Sequence, residues 1–239
     1  MQSKPIKLAV IIPAYNEQDS IAMVVNEINA ISISNTEITA IVINDCSSDN
    51  TYEKVSILDC VLINLSVNLG IGGAVQTGYR YAYDNDFDYA IQVDGDGQHP
   101  ANEIPKLLNE AITNNINVVI GSRFINNQGF QSSGMRRLGI GFLNKWIKLF
   151  TGLNIQDNTS GFRLFDRKVI EIVQTNYPDE YPEPESLILF AKKGFSIKEV
   201  AVEMKERQGG ESSIRNFDQL YYMIKVSIAI FYTFIKTNR

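Results

Sequence analysis

Several things are scarce in this chain of 239 residues. It has two cysteines, Cys46 and Cys60, one histidine, His99, and one tryptophan. Two cysteines without metal-ligand spacing form neither a disulfide framework nor a thiolate cage, and a lone histidine leaves zinc without a ligand set. Positive charge is not in excess. With a net charge of -5 and a pI near 5.0, the chain lacks the basic field that neutralises nucleic-acid phosphates, so no nucleic-acid partner is expected. Long hydrophobic runs are missing as well. The N-terminal "MQSKPIKLAVIIPAYNE" is broken too early for a signal peptide. The most apolar segment, Leu220 to Ile235, has 16 residues and one charge, Lys225, whereas spanning a bilayer takes about 20. A reducing cytoplasm is the expected setting.

What is present describes a globular protein: 44% hydrophobic and 21% charged residues exclude a coiled coil, a collagen and a disordered chain. The expected organisation is one main domain over 1–215 followed by an apolar helix over 216–239. That helix reads as buried, as an oligomer contact, or as lying at a membrane interface, to which Tyr221, Tyr222 and Tyr232 are suited.

Along the main domain, apolar strands alternate with helices. "LAVIIP" (8–13) predicts a buried strand, and Ile21, Val24, Val25 and Ile28 then recur at helical spacing behind Asp19 as cap. Further strands are expected at 38–45, 61–66, 89–94 and 117–122, each followed by a helix or a loop. Strands apolar on both faces between helices mean an α/β fold with a mostly parallel sheet covered on both sides. Beyond residue 125 the regularity fades. "INNQGFQSSGMRR" has the composition of a loop that orders on a ligand. A helix in "LGIGFLNKWIKLFTGL", short strands at 160–165 and 196–204, and a helix opened by Pro184 follow.

Open α/β sheets bind ligands at the carboxyl ends of their strands, and polar residues collect there: Asn16 and Glu17, Asp45, Asn68, Asp94 and Asp96, Ser122 and Arg123. In "YAIQVDGDGQHP" one glycine separates two aspartates. Two carboxylates so close at a strand end stay ionised cheaply only beside a cation, and hard oxygen ligands select Mg²⁺ or Mn²⁺. Two enzyme classes use such a pair. "DGDGQ" imitates the Asp-x-Asp-Gly of haloacid-dehalogenase-like phosphatases, but that motif usually follows the first strand and continues with Thr or Val where this chain has Gln98. A dinucleotide reading of "NLGIGGAV" fails because its glycines do not fit G-x-G-x-x-G.

The other class accounts for the whole set. "VIIPAYNE", "VINDCSSDNT", "NLGIGGAVQTG", "VDGDGQHP" and "GSRF", in this order on five strands, resemble glycosyltransferase family 2 with its GT-A fold. "SGFRLF" and "YPEPE...VEMKERQGGESS" look most like the dolichyl-phosphate mannose synthase branch and its bacterial polyprenyl-phosphate relatives. The resemblance implies inverting transfer of a hexose from a UDP- or GDP-sugar to a polyprenyl phosphate, at the cytoplasmic face of a membrane, with peripheral membrane contact. It also implies roles. Pro13, Tyr15 and Glu17 flank base and ribose with Asn68 nearby, Asp45 accepts hydrogen bonds from the base, and Asp94 sits by ribose and metal. Asp96 and Gln98 are the direct metal ligands, and Arg207 and Ser212 close over the pyrophosphate.

The acceptor, a phosphomonoester with a second pKa near 6, is already ionised at neutral pH and needs no general base. It needs orientation, for which Arg123, Arg137 and Arg163, with Arg136 beside them, offer forked donors; Arg123 and Arg163 count with Asp94 and Asp96 as catalytic. Two further readings stay open. A sugar hydroxyl as acceptor would require a base, for which Glu183 or Glu185 stands available, although glutamates at a helix start also suit its positive end. A catalytically silent binding protein that recruits partners or a second copy through its tail is the other.

Overall fold

The computed structural model describes residues 4–126, 134–206 and 218–236. Among the described residues, seven strands form one sheet, in the order β3 (Val61–Asn64), β2 (Thr36–Asn44), β1 (Ile6–Ala14), β4 (Tyr89–Gln92), β6 (Arg163–Asp166), β5 (Val118–Ser122) and β7 (Ile197–Ala201). At its centre β1 (Ile6–Ala14) pairs in parallel with β2 (Thr36–Asn44) over nine residues, from Ile6 against Thr36 to Ala14 against Asn44. Side chains on a strand alternate between faces. Ala9 and Ile11 therefore enter one apolar layer, and Leu8, Val10 and Ile12 the other. Burying each isoleucine or valine contributes about 1.5–3 kcal/mol, which is why this run, apolar on both faces, takes the middle of a covered sheet.

The first layer packs under α3 (Gly70–Asp84), α5 (Gly134–Thr151), α6 (Arg167–Val173), α7 (Pro182–Lys192) and α8 (Asp218–Lys236). The second packs under α1 (Ile21–Asn29), α2 (Thr51–Val55) and α4 (Ile104–Asn114). β3 (Val61–Asn64) runs parallel to β2, β4 (Tyr89–Gln92) parallel to β1, and β5 (Val118–Ser122) parallel to β7 (Ile197–Ala201), as the alternation predicts.

β6 (Arg163–Asp166) is the exception, antiparallel to both β4 and β5. Its four residues carry no signal of direction. α6, seven residues long, has no counterpart in the sequence reading; Asp166 caps it by accepting the amide of Val169 at 3.0 Å. Two boundaries also shift. The N-cap of α1 is Ser20 rather than Asp19, and α7 opens at Pro182 rather than Pro184. The part of the 125–137 loop between 127 and 133 lies outside the described residues.

Candidate active site at the carboxyl edge of the sheet

The loops after β1 and β2 are laced together. Asn16, in the left-handed region at φ 57°, donates its amide to Ser47 Oγ (3.0 Å), and its Oδ1 accepts the Ser48 amide (2.8 Å). The Glu17 amide donates to Thr51 Oγ1 at 2.9 Å, and its carboxylate accepts Ser20 Oγ at 3.0 Å. Ser20 makes no side-chain cap; its hydroxyl, with its single proton, stands 2.7 Å from the carbonyl of Gly95, which ties α1 to the Asp94–Asp96 turn. Pro13 is buried, Glu17 half-buried and Tyr15 51% exposed, so of these three the tyrosine faces open space, as Asn68 also does.

Asp45, 3% exposed, has both carboxylate oxygens on the start of α3: Oδ1 accepts the Leu69 amide (2.7 Å) and Oδ2 the Gly70 amide (2.9 Å). A carboxylate at this positive helix end satisfies two donors that have no partner within the helix. Asn68 completes the turn by donating from Nδ2 to the Asp45 carbonyl (3.2 Å) and accepting the Gly70 amide (3.1 Å). Asp45, expected at the base, and Asn68, expected near it, thus hold the turn that opens α3. Gly72, one turn on, packs against backbone: a β-carbon there would overlap the carbonyl oxygens of Pro178 and Asp179.

β4 separates from β1 after Gln92. The pairing ends two residues before Pro13, which lies on the same side of β1 as Ile11 and has no N–H to offer there. The released chain turns through Asp94 to Gln98. Asp96 is 2% exposed and accepts the Gln98 amide at 3.0 Å across Gly97, whose φ of 78° suits a residue without a β-carbon. Asp94 keeps about a third of its side chain exposed, and its Oδ1 accepts Gln92 Nε2 at 2.9 Å. His99 is buried and stacked on Phe162 at 5.0 Å. Its Nδ1 accepts the Asp94 amide (3.0 Å), which assigns its proton to Nε2 and makes it a prop for the turn. Gly161 leaves room on the other side, since a β-carbon there would stand 2.7 Å from Gln92 Nε2.

The arginines divide. Arg123, 8% exposed, grips Asp157 in a fork, with Nε to Oδ2 and Nη2 to Oδ1 both at 2.7 Å, and also donates to Thr159 Oγ1 (3.0 Å). Arg163 is 1% exposed; it donates to the carbonyls of Ser160 (2.7 Å), Asn158 (2.9 Å) and Glu183 (2.7 Å) and to Ser186 Oγ (3.0 Å). Arg163, expected at the acceptor phosphate, has its guanidinium inside the protein, where it joins the 158–160 segment to α7. Arg123 is likewise built into a buried ion pair. Arg137 is exposed, and its guanidinium stands 5.4 Å from the centroid of Phe124, the ring that Arg123 approaches to 5.2 Å. The side chain of Arg136, and Arg207 and Ser212 altogether, lie outside the described residues.

Sequence reasoning missed Asp157, Glu199, Phe124 and Tyr177. Glu199 of β7 holds the Arg123 partner in place, accepting the amides of Gln156 and Asp157 at 2.8 Å each; burial raises its pKa, although those two bonds pull it down. The available signal for Asp157 was the rule that buried charges are paired, which demands an anion for Arg123. Burial, and then the Glu183 carboxylate, push the Tyr177 phenol up. Glu185, also raised by burial, accepts Thr233 Oγ1 of α8 at 3.2 Å, which separates its task from that of Glu183.

Comparison with known proteins decides the family. Residues 9–173 match the model of glycosyl transferase family 2. The chain is 30% identical over 215 residues to a UDP-N-acetylglucosamine–dolichyl-phosphate N-acetylglucosaminyltransferase of Methanococcus voltae, covering 80% of this chain and 83% of that one. The chain belongs to glycosyl transferase family 2. Another relative, polyprenol monophosphomannose synthase of Mycolicibacterium smegmatis, is 25% identical over 91% of this chain and 84% of its own. Among solved structures, glucosyl-3-phosphoglycerate synthase of Mycobacterium tuberculosis, determined with Mn²⁺, UDP and glucosyl-3-phosphoglycerate, superposes with a TM-score of 0.68 at 19% identity, over 97% of this chain and 80% of that one. The fold is therefore GT-A.

Family 2 chemistry asks whether this turn can hold a divalent cation. Among the described residues, no group of three or more His, Cys, Asp or Glu side chains forms a closed cage. The 94–98 turn instead carries two carboxylates and the side-chain amide of Gln98, with Asp96 buried and Asp94 about a third exposed. An all-oxygen, incomplete set of this kind suits Mg²⁺ or Mn²⁺, which are held by one or two carboxylates together with substrate phosphates. The residues fit the group.

Proposed function

We propose that this family 2 glycosyltransferase moves a hexose, with inversion, from a UDP- or GDP-sugar to a polyprenyl phosphate at the cytoplasmic face of a membrane. The observation that carries the reading is the Asp94–Gln98 turn, propped by His99 and Ser20 at the carboxyl edge of the sheet. It is supported by relatives whose names specify dolichyl-phosphate or polyprenol acceptors. Asp96 and Gln98, with Asp94 beside them, would hold Mg²⁺ or Mn²⁺, which supplies positive charge against the diphosphate that leaves.

The chain's own residues do the rest. Tyr15 offers a ring to the nucleoside in a crevice framed by Pro13, Glu17, Asp45 and Asn68. Arg207 and Ser212 close over the pyrophosphate. Arg137, raised on Phe124, meets the acceptor phosphate, while Arg123 and Arg163 fix the segments around it. The phosphate oxygen attacks the anomeric carbon directly, because an ionised phosphomonoester has no proton to give up. Residues 1–215 form the catalytic domain and 216–239 an appended helix.

The test is a thermal-shift panel of UDP-, GDP- and dTDP-sugars with and without Mn²⁺, followed by transfer of radiolabelled sugar to polyprenyl phosphate. A metal-dependent rise with one diphosphate family, abolished by Asp96→Asn, is expected. Nucleotide binding indifferent to Mn²⁺ or to that substitution refutes the metal assignment, and label that never enters the lipid refutes the acceptor.

A further inference from the structure

Three bonds fasten the 94–98 turn to its surroundings. His99 Nδ1 accepts the Asp94 amide, Ser20 Oγ stands 2.7 Å from the Gly95 carbonyl oxygen, and the Lys205 amide donates to the Gln98 carbonyl at 3.0 Å. The first two come from buried residues. The third comes from a segment that has left its strand: β7 ends at Ala201, and the Val202 amide donates to the Ser122 carbonyl just past that end. Met204 then enters the apolar layer under α1 and α4, while Lys205 keeps about two-fifths of its side chain in solvent.

An ion pair holds this segment from outside. The Lys205 ammonium stands 2.9 Å and 3.2 Å from the two carboxylate oxygens of Glu27, on α1. α1 is also the helix that Ser20 caps in position, and it buries Ile21, Val24, Val25 and Ile28 against the sheet. The contacts therefore close a ring. At its start α1 holds Gly95 through Ser20; two turns on it holds Lys205 through Glu27, and Lys205 holds Gln98. Gly95 and Gln98 bracket Asp96, so both grips on this loop are taken from one fixed element.

An exposed ion pair adds little to global stability, because water and salt screen it and holding two long side chains costs entropy. Its position gives this one a second effect. Oxygen ligands hold a divalent cation only where they converge, and the groups behind direct ligands orient them. Gln98 carries both the carbonyl that Lys205 grips and the side chain assigned to the cation, so displacing the 204–205 segment displaces a ligand. The pair of Lys198 with Glu110, 2.6 Å apart, offers a contrast: it joins β7 to α4 between residues outside the turn.

We infer that Glu27 and Lys205 are positioning residues for the cation, an ion pair on the outer side of α1 that sets the affinity of the turn for Mg²⁺ or Mn²⁺. The inference rests on the proposed reading of the turn as the metal holder. Charge alone makes a different forecast. Through the field, losing the Lys205 charge would strengthen binding of a cation and losing the Glu27 charge would weaken it. Positioning requires both losses to weaken it.

The test is titration of the full chain with Mn²⁺ alone, the free ion being counted by electron paramagnetic resonance. Glu27→Gln and Lys205→Met should each weaken binding about two- to fivefold, the reversed pair Glu27→Lys with Lys205→Glu should restore most of it, and Lys198→Met should leave it unchanged. The deficit of the single variants should shrink at high salt, where a surface pair is screened. Thermal unfolding of the metal-free variants should match wild type. Unaltered Mn²⁺ affinity in both variants, shifts of opposite sign, or an equal loss in Lys198→Met overturns the inference. So does a drop in metal-free stability with Mn²⁺ affinity intact, the signature of a pair that only holds the fold. A wild-type chain that takes up no Mn²⁺ refutes the metal reading and this inference with it, whereas a wild type that binds beside variants that bind equally refutes the inference alone.

Discussion

Replacing Arg163 by methionine separates two accounts of this residue. Methionine keeps much of the side-chain length and removes the guanidinium. Three backbone carbonyls, of Ser160, Asn158 and Glu183, would lose their donor in a site that is 1% exposed, along with the hydroxyl of Ser186. A hydrogen bond to a charged group contributes about 1.5–3 kcal/mol, and an orphaned buried acceptor costs about 1–3 kcal/mol. These bonds share one side chain and do not add in full, so a loss of about 4 kcal/mol is expected from a total stability of roughly 5–15 kcal/mol. Urea unfolding followed by circular dichroism measures it. A loss below about 1 kcal/mol, accompanied by a raised KM for polyprenyl phosphate, would refute the structural account and restore Arg163 to the acceptor site.

Three other perturbations test other parts of the argument. Gly72→Ala places a β-carbon against the Pro178 and Asp179 carbonyls, which are backbone and cannot swing aside; an overpacking cost of about 1–3 kcal/mol is expected in the same urea assay, and a neutral substitution would show that the 178–179 segment moves freely. Glu199 has its folded pKa raised above the ordinary 4.5. An acid of this kind binds its proton more readily when folded, so its contribution to stability is full below the unfolded value and is lost as pH rises through the folded one. Unfolding curves at stepped pH should therefore show wild type losing stability relative to Glu199→Gln across that window, and a constant difference would refute it. Phe124→Leu removes the ring under Arg137 and should raise the acceptor KM about two- to fivefold with donor KM unchanged, whereas Phe124→Tyr should restore it; equal effects of leucine and tyrosine would show that the ring's charge distribution is irrelevant.

The strands were legible because parallel strands covered on both faces consist of unbroken apolar residues, and "LAVIIP" has no other comfortable environment. The turn at Asp94 and Asp96 was legible for the opposite reason: charges directly after a buried strand contradict the strand unless something binds them. Direction in β6 was illegible, since Arg163–Asp166 has no internal mark of which way it runs. Asp45 shows another boundary. Its place at a strand end could be read, but its hold on the Leu69 and Gly70 amides depends on where a helix 25 residues on begins. Asp157 stands in a loop with no periodicity, 34 residues from Arg123; only burial of the arginine, a property of the folded chain, makes it necessary. An arginine on a sequence reads as a phosphate ligand or a structural tie with equal ease, and the difference for Arg163 and Arg137 is one of depth.

The antiparallel placement of β6 makes the stretch from Arg123 to Phe162 an excursion with closed ends. It departs from the top of β5 and returns at the top of β6, where the Gly121 amide donates to the Phe162 carbonyl (2.8 Å) and Ser160 Oγ donates to the Gly121 carbonyl (2.6 Å). A change in loop length within such a stretch carries a small entropic cost, because its ends stay together. This one holds Phe124, Arg137, Asp157 and all of α5, while the Asp94–Gln98 turn lies outside. On the proposed reading, the side that meets the nucleotide thus stands apart along the chain from the side that meets the acceptor. Grafting 123–162 between members of the family, with the buried Leu143 and Ile147 of α5 kept, tests whether acceptor preference travels with this stretch while donor preference stays behind.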